Sequence, residues 1–270
     1  MPPIPNANSP IGVFDSGLGG LTVVKQIIQF LPNEKIVYFG DTARVPYGTK
    51  SPQTIKRYAR EIVKVLLKHN VKIIVVACNT ASALALGDLI KEFHLPIVGV
   101  IAPGAIKAAG CTKKRKIGII ATSSTIKSGA YADNIHAVAK NIEVISQACP
   151  LFVPLAEEGW FDREVTYMVA REYLAPVKKA GVDTLILGCT HYPLLKNVLH
   201  SVMGPRVSLV DSAQEVAAQV REELLKRDLL RIKLSPARHT FLVSDEPKNF
   251  QILASRFLGG GVQKVEQVHV

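Results

Sequence analysis

Nine short aliphatic runs alternate with helical patterns almost from end to end of the chain, and this alternation limits the folds open to it. The runs cover 11–15, 35–41, 72–78, 96–101, 116–122, 142–149, 183–189, 207–211 and 240–245, each punctuated by Gly, Pro or Asp. Amphipathic helices lie between several of them. The clearest are 51–70, opened by a Ser-Pro cap signal, and 212–228, where Ser212 and Glu215 have the spacing of a capping box. Strands that are continuously apolar and joined by helices predict parallel sheets covered on both faces, the α/β class.

The two halves resemble each other. IGVFDSG at 11 matches IGIIATS at 117, VPYG at 45 falls opposite VPLA at 153, and NVKIIVVACNT at 70 falls opposite GVDTLILGCTH at 181. Three matches in one order predict two pseudo-symmetric α/β domains with mainly parallel sheets. The expected division gives 1–98 plus 208–270 to the first domain and 99–207 to the second. In open parallel sheets ligands bind outside the carboxyl ends of the strands. A site in a cleft between the domains is therefore expected, with Cys78 and Cys189 on opposite walls.

Composition narrows the class. With 270 residues, 48% apolar, 20% charged and a mean hydropathy of +0.20, the chain can bury a sizeable core and does not read as disordered or fibrous. The N-terminal stretch MPPIPNANSP has neither a basic nor an apolar signal region and reads as a ragged arm. The longest apolar runs, such as 73–78, are strand-sized, far below the roughly 20 residues of a membrane span. A cytoplasmic location and no membrane partner follow as expectations. The formal charge of +11 raises nucleic acid as a partner, but the basic residues are scattered apart from KKRK at 113–116. No nucleic-acid motif accompanies them, so a nucleic-acid-associated binding protein stays only as the alternative from a different class.

Four cysteines, at 78, 111, 149 and 189, contain no CxxC pair, which argues against a disulfide framework and a zinc ribbon. Cys111 and Cys149 have no counterpart in the other half and read as small buried hydrophobes. Cys78 and Cys189 correspond, and each is followed at once by hydrogen-bonding residues, Asn79-Thr80 and Thr190-His191. A metal site would need further close ligands, and a single nucleophile would leave the second thiol unexplained. Inverting a carbon centre by proton transfer uses both, because it needs a base on one face and an acid on the other. Thiols lie within tuning range for either duty. Asp15 and Ser16, where the first strand turns through Gly17, Gly19 and Gly20 into a helix, are open to three readings. They resemble an anion-binding turn, Asp15 could accept a proton from Cys78 or meet an ammonium group, and Asp15 could simply cap the helix.

With these residues assembled, FDSGLGG at 14–20, GDTARVPYG at 40–48, ACNTASA at 77–83 and GCTHYPLL at 188–195 resemble the glutamate racemases of the aspartate/glutamate racemase superfamily. The resemblance runs from about 11 to 260. It implies an isomerase that interconverts L- and D-glutamate without a cofactor or metal, supplying D-glutamate for peptidoglycan, and commonly a homodimer. By motif, Cys78 and Cys189 match the two catalytic thiols, with Asp15 assisting the first and His191 the second. Asp41 and Glu157 fall where the family has further polar assistants. Asp15, Ser16, Tyr47, Gly48, Asn79, Thr80, Thr190 and His191 match substrate-binding positions, and Thr122 matches more loosely. Aspartate and hydantoin racemases of the superfamily also pair two cysteines, whereas its decarboxylases use one. The second cysteine argues against the decarboxylases, and FDSGLGG with GCTHYPLL favours glutamate over aspartate.

Overall fold

The computed structural model describes residues 4–232, 237–260, 262 and 264–270, without the side chains of 256 and 257. Its ten strands are β1 (Ile11–Asp15), β2 (Ile36–Gly40), β3 (Ile73–Val76), β4 (Ile97–Gly99), β5 (Lys116–Ala121), β6 (Glu143–Ala148), β7 (Thr184–Gly188), β8 (Ser208–Val210), β9 (Thr240–Val243) and β10 (Val265–Gln267). The chain divides into two compact units, residues 1–100 with 213–270, and residues 101–212. The second unit takes in β8, because β8 pairs with β7 rather than with a strand of the first sheet. The boundary expected at 207/208 therefore cuts one strand too early.

In the first unit a six-stranded sheet has the order β10-β9-β2-β1-β3-β4; in the second, a four-stranded sheet has the order β6-β5-β7-β8. Every pairing is parallel. The run β2-β1-β3-β4 and the run β6-β5-β7-β8 have one topology, so the weak sequence repeat corresponds to a repeated structural unit. β9 and β10 extend the first copy. The tail after residue 258 carries no motif, yet it contributes β10, paired with β9.

The continuous apolar runs follow from burial on both faces. Along β1, β2 and β3 every residue is buried. One face places Ile11, Val13, Ile36, Tyr38, Ile73 and Val75 against the helices Leu21–Phe30 and Ala213–Lys226. The other places Phe14, Val37, Phe39, Ile74 and Val76 against the helix Pro52–Leu67. Each such side chain contributes roughly 1.5–3 kcal/mol. The edge strand β6 is exposed at Glu143 and Ser146 and contains no fully buried residue, which accounts for its mixed sequence EVISQA. The helix Pro52–Leu67 begins as its sequence predicts, with Ser51 Oγ accepting from the Thr54 N–H at 3.3 Å and Pro52 in the first turn.

One expectation changes. Residues 6–10 are not ragged: Lys72 Nζ donates to the Ala7 carbonyl at 2.8 Å, the Lys72 N–H to Pro10, and Asn70 Nδ2 to Ser9 Oγ. Pro2 and Pro3, part of that reading, lie outside the described residues. The KKRK run bends around Asp183 at 113–115 and enters β5 at Lys116; the Asp183 carboxylate accepts from Thr112 Oγ1 at 2.6 Å and from the Lys113 and Lys114 N–H groups at 2.7 and 2.6 Å. Arg115 in this bend takes a left-handed conformation with φ 57°. Burial raises the Asp183 pKa, but these hydrogen bonds outweigh it and hold the carboxyl below its usual value.

Candidate active site

The sequence-selected residues cluster at the carboxyl ends of the parallel strands in each unit. In the first unit Asp15 ends β1, Asp41 follows β2 and Cys78 lies two residues beyond β3. Asp15 is fully buried, and its Oδ2 accepts from the Gly17 N–H at 3.1 Å and the Gly20 N–H at 3.0 Å. The carboxylate thus organises the glycine turn ahead of the helix Leu21–Phe30, whose N-cap position is Gly20, while standing near enough to Cys78 for both to act on one phenol. Tyr38 donates to the Gly17 carbonyl at 2.6 Å, and its pKa is raised well above normal by burial, then by Asp15 and Cys78. Gly20 is required by crowding: a Cβ there would stand 2.4 Å from Asp15 Cβ.

Asp41 is the centre of a second network. It accepts from Arg44 Nε at 2.9 and 2.7 Å, from Ser244 Oγ at 2.9 Å and from the Tyr47 hydroxyl. Arg44 also pairs with Glu61 and stacks over the Tyr58 ring at 4.0 Å. Burial raises the Tyr47 pKa first, followed by Asp41, so this phenol stays protonated. Tyr47 and Gly48 are buried in a short 3-10 turn, Tyr47–Thr49, which packs against the six-residue helix Asn79–Leu84. That helix starts immediately after Cys78, and Cys78, Asn79 and Thr80 are all nearly buried. Ser82 ties it to the sheet by donating to the Val76 carbonyl at 2.8 Å and accepting the Val100 N–H at 3.2 Å.

The second unit repeats the layout with different partners. Thr122 follows β5 and caps the helix Ser123–Lys127, and Glu157 ends the helix Phe152–Glu157 after β6. Cys189 follows β7, with Thr190 and His191 next, all three buried. Cys189 Sγ lies 3.8 Å from His191 Nδ1, and Glu157 Oε1 lies 3.2 Å from His191 Nε2. Thiol, imidazole and carboxylate therefore form a line from the buried sulfur to the half-exposed Glu157 side chain. Gly188 is fixed by close approach, since a Cβ would stand 2.9 Å from the Ile120 carbonyl oxygen and 3.0 Å from Tyr131.

Asp15, Ser16, Asp41, Tyr47, Gly48, Cys78, Asn79 and Thr80 fall in the first unit, and Thr122, Glu157, Cys189, Thr190 and His191 in the second. Sequence reasoning passed over Tyr38, Arg44, Ser82, Tyr131, Tyr192 and Ser244. Tyr38 sits inside an apolar strand where a lone polar residue gives no signal, whereas Arg44, Ser82 and Tyr192 lie within the quoted motifs and show their partners only in the fold. Tyr192, in the GCTHYPLL motif, is fully buried and donates to the Cys149 carbonyl at 2.8 Å. Cys149 is buried as expected, with its pKa pushed far up by burial, then by Cys189. Cys111 is only half-buried, at the end of the helix Ile101–Cys111, so the buried-hydrophobe reading fails there. Among the described residues no group of three His, Cys, Asp or Glu could hold a metal ion, and no helix is long and apolar enough to cross a membrane.

The Asp/Glu/Hydantoin racemase family profile matches residues 11–220. The chain is 54% identical over 258 residues to the glutamate racemase of Geobacter metallireducens, covering 96% of each chain. Its structure is similar to glutamate racemase isoform RacE1 from Bacillus anthracis, with a TM-score of 0.94, 39% identity and 98% of each chain covered. It is also similar to the glutamate racemase from Francisella tularensis in complex with D-glutamate, with a TM-score of 0.90, 41% identity, and 97% of this chain and 98% of that one covered. The chain is thus an isomerase that belongs to the Asp/Glu/Hydantoin racemase family, in its glutamate racemase branch.

Proposed function

We propose that the chain interconverts L- and D-glutamate by a two-base transfer of the α-proton, with Cys78 and Cys189 on opposite sides of the α-carbon and no cofactor or metal. The observation that carries this reading is the equivalence of the two thiols. Each follows the strand that pairs with the first strand of its unit, β3 beside β1 and β7 beside β5. Each is nearly buried and precedes a polar pair, Asn79-Thr80 or Thr190-His191. The names of the relatives and the D-glutamate bound by the Francisella tularensis enzyme supply the substrate.

In one direction the thiolate of one cysteine takes the α-proton while the thiol of the other returns a proton to the opposite face; the reverse reaction exchanges the duties. On the second side, Glu157 favours a proton on His191 Nε2, and a protonated imidazole supports a thiolate at Cys189 through Nδ1. On the first side, Asp15 assists Cys78. Asp41 and the phenol it holds complete that wall. Removing an α-proton beside a carboxylate develops a second negative charge on that group. Asn79, Thr80 and Thr190 serve as its donors, with Ser16, Tyr47 and Gly48 holding the rest of the substrate and Thr122 a further hydroxyl at its carboxyl-end position. Closure over the substrate excludes water and strengthens these interactions. In this reading the enzyme is a cytoplasmic homodimer that provides D-glutamate for peptidoglycan.

The test is proton NMR of L-glutamate, and separately L-aspartate, with metal-stripped protein in D₂O, joined to chiral analysis. Loss of the glutamate α-proton signal with D-glutamate appearing is expected, and exchange with aspartate alone would change the substrate assigned. Cys78→Ala and Cys189→Ala should each lose racemisation. The wild-type rate should be bell-shaped in pH, since a doubly protonated pair has no base and a doubly ionised pair no acid. Normal turnover by either folded single variant would overturn the two-thiol mechanism.

A further inference from the structure

We infer that Ser244, in the C-terminal segment beyond the family match, is a positioning residue that braces the Asp41–Gly48 loop of the candidate site; this deepens the reading above and rests on it for its catalytic consequence. The register of the sheet brings the residue there. β9 pairs with β2 so that Val243 lies opposite Gly40, and the next residue on each chain is Ser244 and Asp41. Both are buried, and the Ser244 N–H donates to the Gly40 carbonyl at 3.1 Å.

The Ser244 hydroxyl has two partners in the loop. It donates to Asp41 Oδ1 at 2.9 Å and accepts the Ala43 N–H at 2.8 Å. One side chain thus fixes both the carboxylate that receives the Tyr47 hydroxyl and the backbone leading to it. The neighbouring residues repeat the tie: Thr42 Oγ1 donates to the Asp245 carbonyl at 2.5 Å and accepts the Asp245 N–H at 2.9 Å. From the far side, Gln267 Nε2 in β10 donates to the Ser244 carbonyl at 3.3 Å. With Arg44 and Tyr47 also bound, Asp41 is saturated by donors on both oxygens. A carboxylate so occupied is a good anchor. Asp41 therefore orients the Tyr47 phenol through contacts that Ser244 holds in place, and the strands β9 and β10 become part of the substrate wall.

The test compares Ser244→Thr with Ser244→Val, which have one shape and differ by the hydroxyl, and includes Ser244→Ala and a remote control, Ser255→Ala. Two readouts are taken on the full chain: amide hydrogen exchange by residue, and KM and kcat for D-glutamate. Ser244→Val and Ser244→Ala should speed exchange across 41–48 while β1 and β3 keep their protection. They should also raise KM roughly tenfold with a smaller change in kcat, the mark of lost uniform binding. Ser244→Thr should retain wild-type behaviour in both, and Ser255→Ala should resemble wild type. Unchanged exchange across 41–48 in folded Ser244→Val would overturn the inference. So would a KM equal to that of Ser244→Thr. Loosened exchange in a protein that does not racemise glutamate would leave the brace standing and remove the proposed substrate.

Discussion

His191 illustrates how a residue acquires a role from two contacts. Its Nδ1 faces the Cys189 sulfur at 3.8 Å and its Nε2 faces Glu157 at 3.2 Å, while the ring itself is almost buried. The exposed carboxylate end lets solvent screen Glu157, so its effect on the ring is modest. Glu157→Gln keeps the shape and removes the charge. It should lower turnover roughly tenfold, more in the direction that uses Cys189 as base, with the fold intact. Values of kcat from L- and from D-glutamate, each at saturating substrate, check the asymmetry, while kcat/KM must fall equally because the equilibrium constant between the enantiomers is one; equal losses of kcat would count against a role through Cys189. The sequence showed Cys189 and His191 together because they are two residues apart. Glu157 came only from the family match, since no local pattern links residue 157 to residue 191.

At the scale of elements, the strand-to-helix turn after β1 shows why glycine-rich loops and an acidic residue occur together. Asp15 uses its carboxylate to hold the Gly17 and Gly20 amides, and Gly20 leaves room for it. Gly20→Ala forces a Cβ to within 2.4 Å of Asp15 Cβ. Overpacking of this kind costs about 1–3 kcal/mol, and Asp15 should be displaced as the turn relaxes. Thermal denaturation and racemase assays of the variant should therefore both show a loss; a wild-type Tm would mean that the turn shifts at no cost. Strands and helices were legible here because continuous apolar runs and capping residues are local signals. β10 was not: VEQ at 265–267 has no apolar alternation, and it becomes a strand only because β9 offers a free edge.

On the scale of the whole molecule, a buried ion pair secures three segments distant in sequence. Lys72 Nζ lies 2.6 Å from Glu34 Oε2, with both side chains almost fully buried, and donates to the carbonyls of Ala7 and Leu229 at 2.8 Å each. Glu34 also accepts the Arg231 N–H at 2.8 Å. Burial, the largest influence, lowers the Lys72 pKa, against the pull of Glu34. Removing one partner from such a pair leaves an uncompensated charge, and Glu34→Ala should cost about 3–5 kcal/mol. Lys72→Met combined with Glu34→Leu should recover much of that loss, as chemical denaturation can measure, since a buried pair often contributes little over packed apolar groups. Neither residue was singled out in the sequence, because a lone Lys before an apolar strand and a lone Glu before another look like solvated ends. The sequence by itself determined the α/β class, the duplication, the two corresponding thiols and the family, since apolar runs, glycine turns and short motifs are encoded over a few neighbouring residues. Tertiary structure alone decided the strand order, the place of β8, the brace from Ser244 and the Lys72–Glu34 anchor. Those depend on pairings between residues up to about two hundred positions apart, and a buried polar group shows its purpose only when its partner is in view.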